Sequence, residues 1–423
     1  MLLKTKFLVR NIFRGGHQQL SESDVAFARK YIANYWKKLE RHHPKDDETL
    51  LGLPNSYLVP AYEEGHAFDF NEMYYWDSYF MVQGMLDKHH KKLVIGILDN
   101  LIAMQKRFKI IPNASRTYLM GRSQPPLLTS FIFDVYEAYD MDEEWLAKTI
   151  AAAEEEYHVV WMGNAKPNWR QVYKGLSRYY DINMLNDLAE AESGWDMTTR
   201  FGRKALNYVP VDLNALLYKY ETDFAKAARI LGDDAKVSQW EEKALARKKT
   251  MDELMWSDLK KLYFDYNFAK QKRGSVASLA AFYPMWAGMV DEEEAEDLVK
   301  SLKRFEQKGG LSTTENGQLN QIMPVSMPNV LPTQWAYPNG WAPLHFIVIK
   351  GLQRYGYHED ARRIAMKWLA TNLVWFNKNG VFLEKYNVVQ PDKPPAKGVY
   401  PSLTGFGWTN AVFERLCQEF IDK

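Results

Sequence analysis

Two short stretches set a carboxyl group among aromatic and apolar neighbours. In ESGWDMTTRF, 192–201, Asp196 follows a glycine and a tryptophan. In GVFLEKYNV, 380–388, Glu384 stands between Phe382 and Leu383 on one side and Tyr386 on the other. Apolar surroundings hold a carboxyl group toward its neutral form, which lets it donate a proton near neutral pH. A second carboxyl group that stays ionised can activate water. An acid and a base across a sugar-sized cleft are what glycosidic hydrolysis requires. The two residues are 384 − 196 = 188 positions apart, so only the fold can bring them together. Each also has a plainer reading: Asp196 as a helix cap, with Thr198 and Thr199 competing for that place, and Glu384 as a surface carboxylate beside Lys385.

Three further stretches carry groups suited to holding a ligand. FDFNEMYYWDSYF, 68–80, sets Trp76 and Asp77 ahead of an expected helix start, where the alternative is a capping Asp with a packed Trp. IPNASRTYLMGRSQPPLL, 111–128, brings Asn113, Arg122, Ser123 and Gln124 up to a Pro-Pro helix start. An Arg there can equally be a surface residue. PTQWAYPNGWAP, 332–343, is stiffened by three prolines and carries Trp335 and Trp341. Aromatics reach 14% of the chain. Many can fill a core, but flat apolar faces beside hydrogen-bonding groups suit a hydroxylated ligand such as a sugar.

Other chemistries find little support. The sequence has no nucleophile elbow, no phosphate-binding glycine loop of the Walker type and no H-E-x-x-H pair. Adjacent histidines at 42–43 and 89–90 would point to different faces of a helix, which makes them poor joint metal ligands. Lys plus Arg is 54 and Asp plus Glu 53, a balance without the basic footprint of nucleic-acid binding. The single cysteine, Cys417, lies in the helix-like stretch VFERLCQEF and reads as a buried structural thiol. The apolar residues near the N-terminus are broken by Lys4, Lys6, Arg10 and Arg14, unlike a secretory signal, and nothing approaches a membrane span. A cytoplasmic, monomeric protein is the expectation.

The elements that must position these groups are mostly helical. In SESDVAFARKYIANYWKKLERH, Ser21 can cap a helix whose apolar residues recur at helical spacing. NALLYKYETDFAKAARILG ends at Gly232, suited to the left-handed position after a helix. DEEEAEDLVKSLKRFEQKGG runs from acidic to basic, as the helix dipole favours, and stops at Gly309-Gly310. LYFDYNF and GVFLEKYNV are candidate short hairpin pieces. The pattern predicts a single, mostly helical domain over 21–423 behind an N-terminal extension, 1–20. A toroid of helical hairpins or an irregular helical bundle would both satisfy it.

Seven blocks in order resemble the trehalases, glycoside hydrolase family 37: EMYYWDSYF, IPNASRTYLMGRSQPPLL, ESGWDMTTRF, VPVDLNALLYKYE, QWAYPNGWAPLHF, FLEKYNV and GFGWTNAV. The resemblance implies an all-α (α/α)6 barrel with short β pieces in its loops. It implies hydrolysis of the disaccharide α,α-trehalose to two glucoses with inversion, with no metal or organic cofactor. It matches Asp196 to the general acid and Glu384 to the general base. Phe70, Trp76, Asp77, Asn113, Arg122, Ser123, Gln124, the backbone at Gly194, Trp335 and Trp341 match the sugar pocket. The sequence also departs from the family pattern. Asp69, Ala336 and Val399 stand where the family carries Arg, Asp and Glu, and no Arg-Pro-Glu-Ser segment separates RYYD from SGWD. Losing polar groups alters selectivity more than chemistry, so another small α-glucoside is an alternative substrate, and a non-catalytic sugar binder is a more distant one.

Overall fold

Two kinds of helix alternate along the chain, one buried nearly all round and one buried on a single stripe. A computed structural model describes residues 20–62, 70–164, 166, 169–317, 333–396, 398 and 403–422. Thirteen α-helices lie among the described residues. In chain order they are α1 (Glu22–Leu39), α2 (Tyr75–Val82), α3 (Lys91–Phe108), α4 (Leu128–Tyr139), α5 (Glu143–Glu156), α6 (Asn186–Glu192) and α7 (Val211–Ile230). There follow α8 (Asp234–Met255), α9 (Tyr283–Ala287), α10 (Glu292–Ser301), α11 (Ala342–Arg354), α12 (His358–Asn379) and α13 (Gly407–Phe420).

Helices α2 and α9 are buried at every position, and α11 at all but the last few. A helix that is apolar all round belongs inside, and these three form an inner ring with α4, α7 and α13. Within the ring α4 packs on α7, α7 on α9, α9 on α11, α11 on α13 and α13 on α2. The circle closes between α2 and α4 through the Tyr79–Phe131 ring contact and a hydrogen bond from Gln83 to Asp134. Outer helices carry one apolar stripe, such as Val25, Ala28, Ile32, Tyr35 and Leu39 of α1. Helix α1 packs on α12 and α13, α3 and α5 on α4, α8 on α7, and α12 on α11. The result is the expected barrel of paired helices. No helix among the described residues is long and apolar enough to cross a membrane.

The local signals act as expected at several ends. Ser21 Oγ accepts from Asp24 N at the start of α1, and Gly232 takes φ +74° after α7. Asp291 and Glu294 cap α10 reciprocally. Cys417 is buried in α13. Elsewhere tertiary pairing wins. The acidic-to-basic stretch stops being α-helical at Ser301 and tightens into a 3-10 turn over Leu302–Arg304. Glu306–Gln307 then pairs with Gly310–Leu311, so Gly309-Gly310 serve a hairpin rather than a helix end. Trp76 and Asp77 lie inside the first turn of α2 instead of ahead of it. Both histidine pairs fall outside helices. Residues 1–19 of the expected extension, and the departures Asp69 and Val399, lie outside the described residues; Leu20 packs against Ala370 and Val374.

Short strand pairs stitch the chemistry-bearing loops together. Asn339–Trp341 runs antiparallel to Lys385–Asn387, with Trp341 opposite Lys385. The FLEKYNV strand is thus paired across the fold rather than within a local hairpin. Single bridges join Tyr74 to Ala114, Thr198 to Trp335, and Leu383 to Thr404. Six loop segments are thus tied together by backbone hydrogen bonds.

Candidate active site

A cavity of about 620 Å³ opens at the N-terminal ends of the inner helices, within the range typical of small-molecule sites. Its wall includes both carboxyl groups singled out from sequence, Asp196 and Glu384, with Asp77 as a third. Phe70, Trp76, Asn113, Arg122, Gln124, Gly194 and Trp335 line it as well.

Asp77 sits on the first turn of α2 and is buried. Burial pushes its carboxyl up to about 8, helped by the neighbouring Glu384 and Asp196 and opposed by hydrogen bonds from its own backbone and Gln124. Gln124 also accepts from Trp76 N at 2.9 Å, which locks the loop before α4 onto α2. Burial raises Asp196 to about 7; Glu384 adds to the shift, while Arg122 and Lys385 pull against it. Its loop is held by Gln334 Nε2, which donates to the Asp196 carbonyl at 2.6 Å, and by Thr198 N, which donates to buried Glu190 at 2.7 Å. Glu384 is also buried, and its Oε2 accepts from Lys385 Nζ at 2.7 Å. Its backbone N–H donates to the Leu403 carbonyl, and its carbonyl accepts from Trp408 Nε1 at 3.2 Å.

Asn113 works on the loop that carries Arg122. Its N–H donates to the Arg122 carbonyl at 2.9 Å and its Nδ2 to the Ser123 carbonyl at 3.0 Å. Arg122 Nη1 donates to Asp181 at 3.2 Å, while its buried Nε has no hydrogen-bond partner. Gly194 takes φ +75°, and a Cβ there would stand 2.5 Å from Trp76 Cζ2, so the backbone lies flat against the indole.

Two expected pocket residues stand behind the wall instead. Ser123 is buried; its N–H donates to Glu192 at 2.6 Å and its hydroxyl to the Ile111 carbonyl at 2.7 Å. Trp341 stacks face to face on Trp335, with centroids 3.7 Å apart and planes 3° from parallel. It therefore backs the wall without forming it. Ala336 is buried and likewise absent from the lining. Sequence reading gave no role to Trp408, Phe406, Tyr74, Pro60, Leu119, Ala191 and Leu403, which complete the wall. The aromatic GFGWTN stretch, which opens α13, was a usable signal for Phe406 and Trp408. The isolated apolar residues carried none.

An acid-shifted carboxyl and a cation-paired carboxyl facing one aromatic-walled cavity are the equipment of a glycosidase. The Trehalase family model matches residues 13–190 and 183–420.

The chain belongs to the trehalase family.

It is 33% identical to a cytosolic neutral trehalase of Beauveria bassiana, over 86% of this chain and 58% of that protein. A cytosolic neutral trehalase of Emericella nidulans is 33% identical over 88% of this chain and 59% of its own length. The chain thus spans about three fifths of the length of these relatives. Among solved structures, neutral trehalase Nth1 from Saccharomyces cerevisiae superposes with a TM-score of 0.74 at 28% identity, covering 90% of this chain and 76% of that one. A GH63 mannosylglycerate hydrolase from Thermus thermophilus matches with a TM-score of 0.67 at 17% identity, over 91% and 99% of the two chains. That match speaks for the helical barrel alone.

Proposed function

We propose that this trehalase-family protein hydrolyses α,α-trehalose to two glucose molecules by inverting general acid and base catalysis. One observation carries the reading: Asp196 and Glu384 face the same cavity, the first pushed by burial to about 7 and the second paired with a buried lysine. Asp196 donates its proton to the glycosidic oxygen as the bond from that oxygen to the anomeric carbon breaks. Glu384 accepts a proton from the water that attacks the anomeric carbon from the opposite face. Solvent then returns Asp196 to its acid form and Glu384 to its base form. Trp76 and Trp335 supply flat apolar walls, while Asp77, Asn113, Arg122 and Gln124 hold hydroxyl groups. The names of the relatives support the substrate, and they support a cytosolic location in the same way.

Glucose release from trehalose by the purified protein tests the reaction. Proton NMR at early times should show one β-glucose for each α-glucose, because only the attacked carbon inverts. Asp196→Asn and Glu384→Gln are each expected to lower kcat by at least about 100-fold with an unchanged melting curve. Near-wild-type turnover in either variant would sink the assignment. A screen over other small α-glucosides separates the alternatives: cleavage of one of these but not trehalose moves the substrate, and binding without any cleavage makes the protein a sugar binder.

A further inference from the structure

Three carboxyl groups face the cavity, Asp77, Asp196 and Glu384, and acid–base hydrolysis needs them in different charge states. Charged groups reach this region from every surrounding element. Asp77 comes from α2 and Arg122 from the loop before α4. Asp181, Glu190 and Asp196 come from the segment between α5 and α7, and Lys385 from the strand beside Asn339–Trp341. Arg122 is engaged by Asp181. Lys385 has a fully buried side chain, and its Nζ lies 2.7 Å from Glu384 Oε2.

A lysine is almost never fully buried unless it is paired. A buried ion pair contributes little net stability compared with apolar packing of the same volume, so stability alone is a weak reason for this one. The placement of Lys385 is also tightly specified. Its strand register sets it opposite Trp341. Its Nζ stands 5.0 Å from the Trp341 ring centroid, and that ring is the one stacked on cavity-lining Trp335. The aromatic wall, the cation and the carboxylate form one continuous layer.

We propose that Lys385 is a positioning residue that keeps Glu384 ionised and aimed into the cavity, and so determines which of the three carboxyl groups serves as the base. This rests on the glycosidase reading above. The ammonium donates directly to Glu384. It also pulls against the rise at Asp196, where burial outweighs it, so Asp196 remains the proton carrier.

The test is the pH dependence of kcat/KM on trehalose for the wild type, Lys385→Gln and Lys385→Met. The acid limb, which reports the base, is expected to move up by about one pH unit or more in both variants. A merely structural role would lower activity or the melting temperature without moving that limb. Glutamine keeps a hydrogen-bond donor, so Lys385→Gln decides the matter if the methionine variant folds poorly. A folded variant with the wild-type acid limb overturns the proposal. Should the wild type hydrolyse no glucoside at all, the glycosidase reading fails by itself. Carbon-13 NMR titration of the Glu384 carboxyl then still decides the role of Lys385: a rise in the glutamine variant upholds it, and an unmoved titration overturns it.

Discussion

Gly194→Ala is the sharpest probe of how the cavity is built. A Cβ at 194 would stand 2.5 Å from Trp76 Cζ2 and 2.6 Å from Cε2. Carbon atoms prefer about 3.5–4.0 Å, so the shortfall is about 1 Å. Phe80, Trp335 and Trp408 pack around the indole with centroids 5.6, 5.7 and 5.8 Å away, so it can yield only toward the cavity it lines. Either the indole moves into the cavity or the loop moves, and Asp196 lies two residues further on. Left-handed backbone costs an alanine about 1–2 kcal/mol, and overpacking adds about 1–3 kcal/mol. The expected destabilisation is therefore about 2–5 kcal/mol by urea unfolding. A shift of about 1 Å at a reacting group costs on the order of 100-fold in rate, to be read as kcat/KM on trehalose. Gly232→Ala is the matched control. It has φ +74°, and a Cβ added there would meet nothing within 4 Å, so only the backbone term applies and activity is expected to stay intact. If Gly194→Ala loses no more stability than Gly232→Ala and keeps full activity, the tight backing of Trp76 is refuted.

Two further outcomes follow from the layer behind the wall. Burial, aided by Asp187 and Asp196, raises Glu190 to about 8. The folded state therefore holds this proton more tightly than the unfolded chain, so the stability it lends is whole below about 4.5 and is lost as pH rises through about 8. Glu190→Gln keeps an acceptor for Thr198 N and is expected to stabilise the protein by roughly 2–5 kcal/mol at pH 9 and hardly at pH 5; thermal melts with no gain at the higher pH would contradict this. Trp341→Ala removes the ring stacked on Trp335 and is expected to cost about 3–5 kcal/mol and to raise KM for trehalose, whereas a destabilised variant with an unchanged KM would mean that Trp335 holds its place unaided.

The sequence made some of this readable because certain signals are local. Ser21, the Asp291–Glu294 pair and Gly232 act on their own turns, so their helix ends follow from residue type. The alternation of all-round and one-sided burial, which makes the barrel, emerges only from packing between distant helices. The stretch after Ser301 shows the limit most clearly. Its charges favour continued helix, yet Phe305 is buried and its carbonyl accepts from Ser312 N, so a hairpin with a buried base outweighs a weak propensity. At the cavity, the residues legible in advance were those whose types do chemistry. Ser123 and Trp341 were placed one layer too far forward, because spacing cannot tell a wall from its backing. Glu190, Asp181 and Lys385 went unassigned because what matters about them is a buried contact, which no local pattern encodes.

Position 336 shows why that layer matters for selectivity. Read from sequence, Ala336 suggests a lost sugar contact, but it is 1% exposed and off the lining. Its neighbours are bound by backbone: Trp335 N donates to the Met197 carbonyl, and Tyr337 N to Thr314 Oγ1. An alanine there alters the support of Trp335 and leaves the groups facing a sugar as they are. Arg122 is different. It lines the cavity, and its guanidinium is anchored to Asp181 through Nη1. A sugar that places a hydroxyl against this guanidinium gains a charge-assisted hydrogen bond, and one that does not forgoes about 1.5–3 kcal/mol. Discrimination among small glucosides in this cavity should therefore follow the hydroxyl that meets Arg122 far more than the residue at 336.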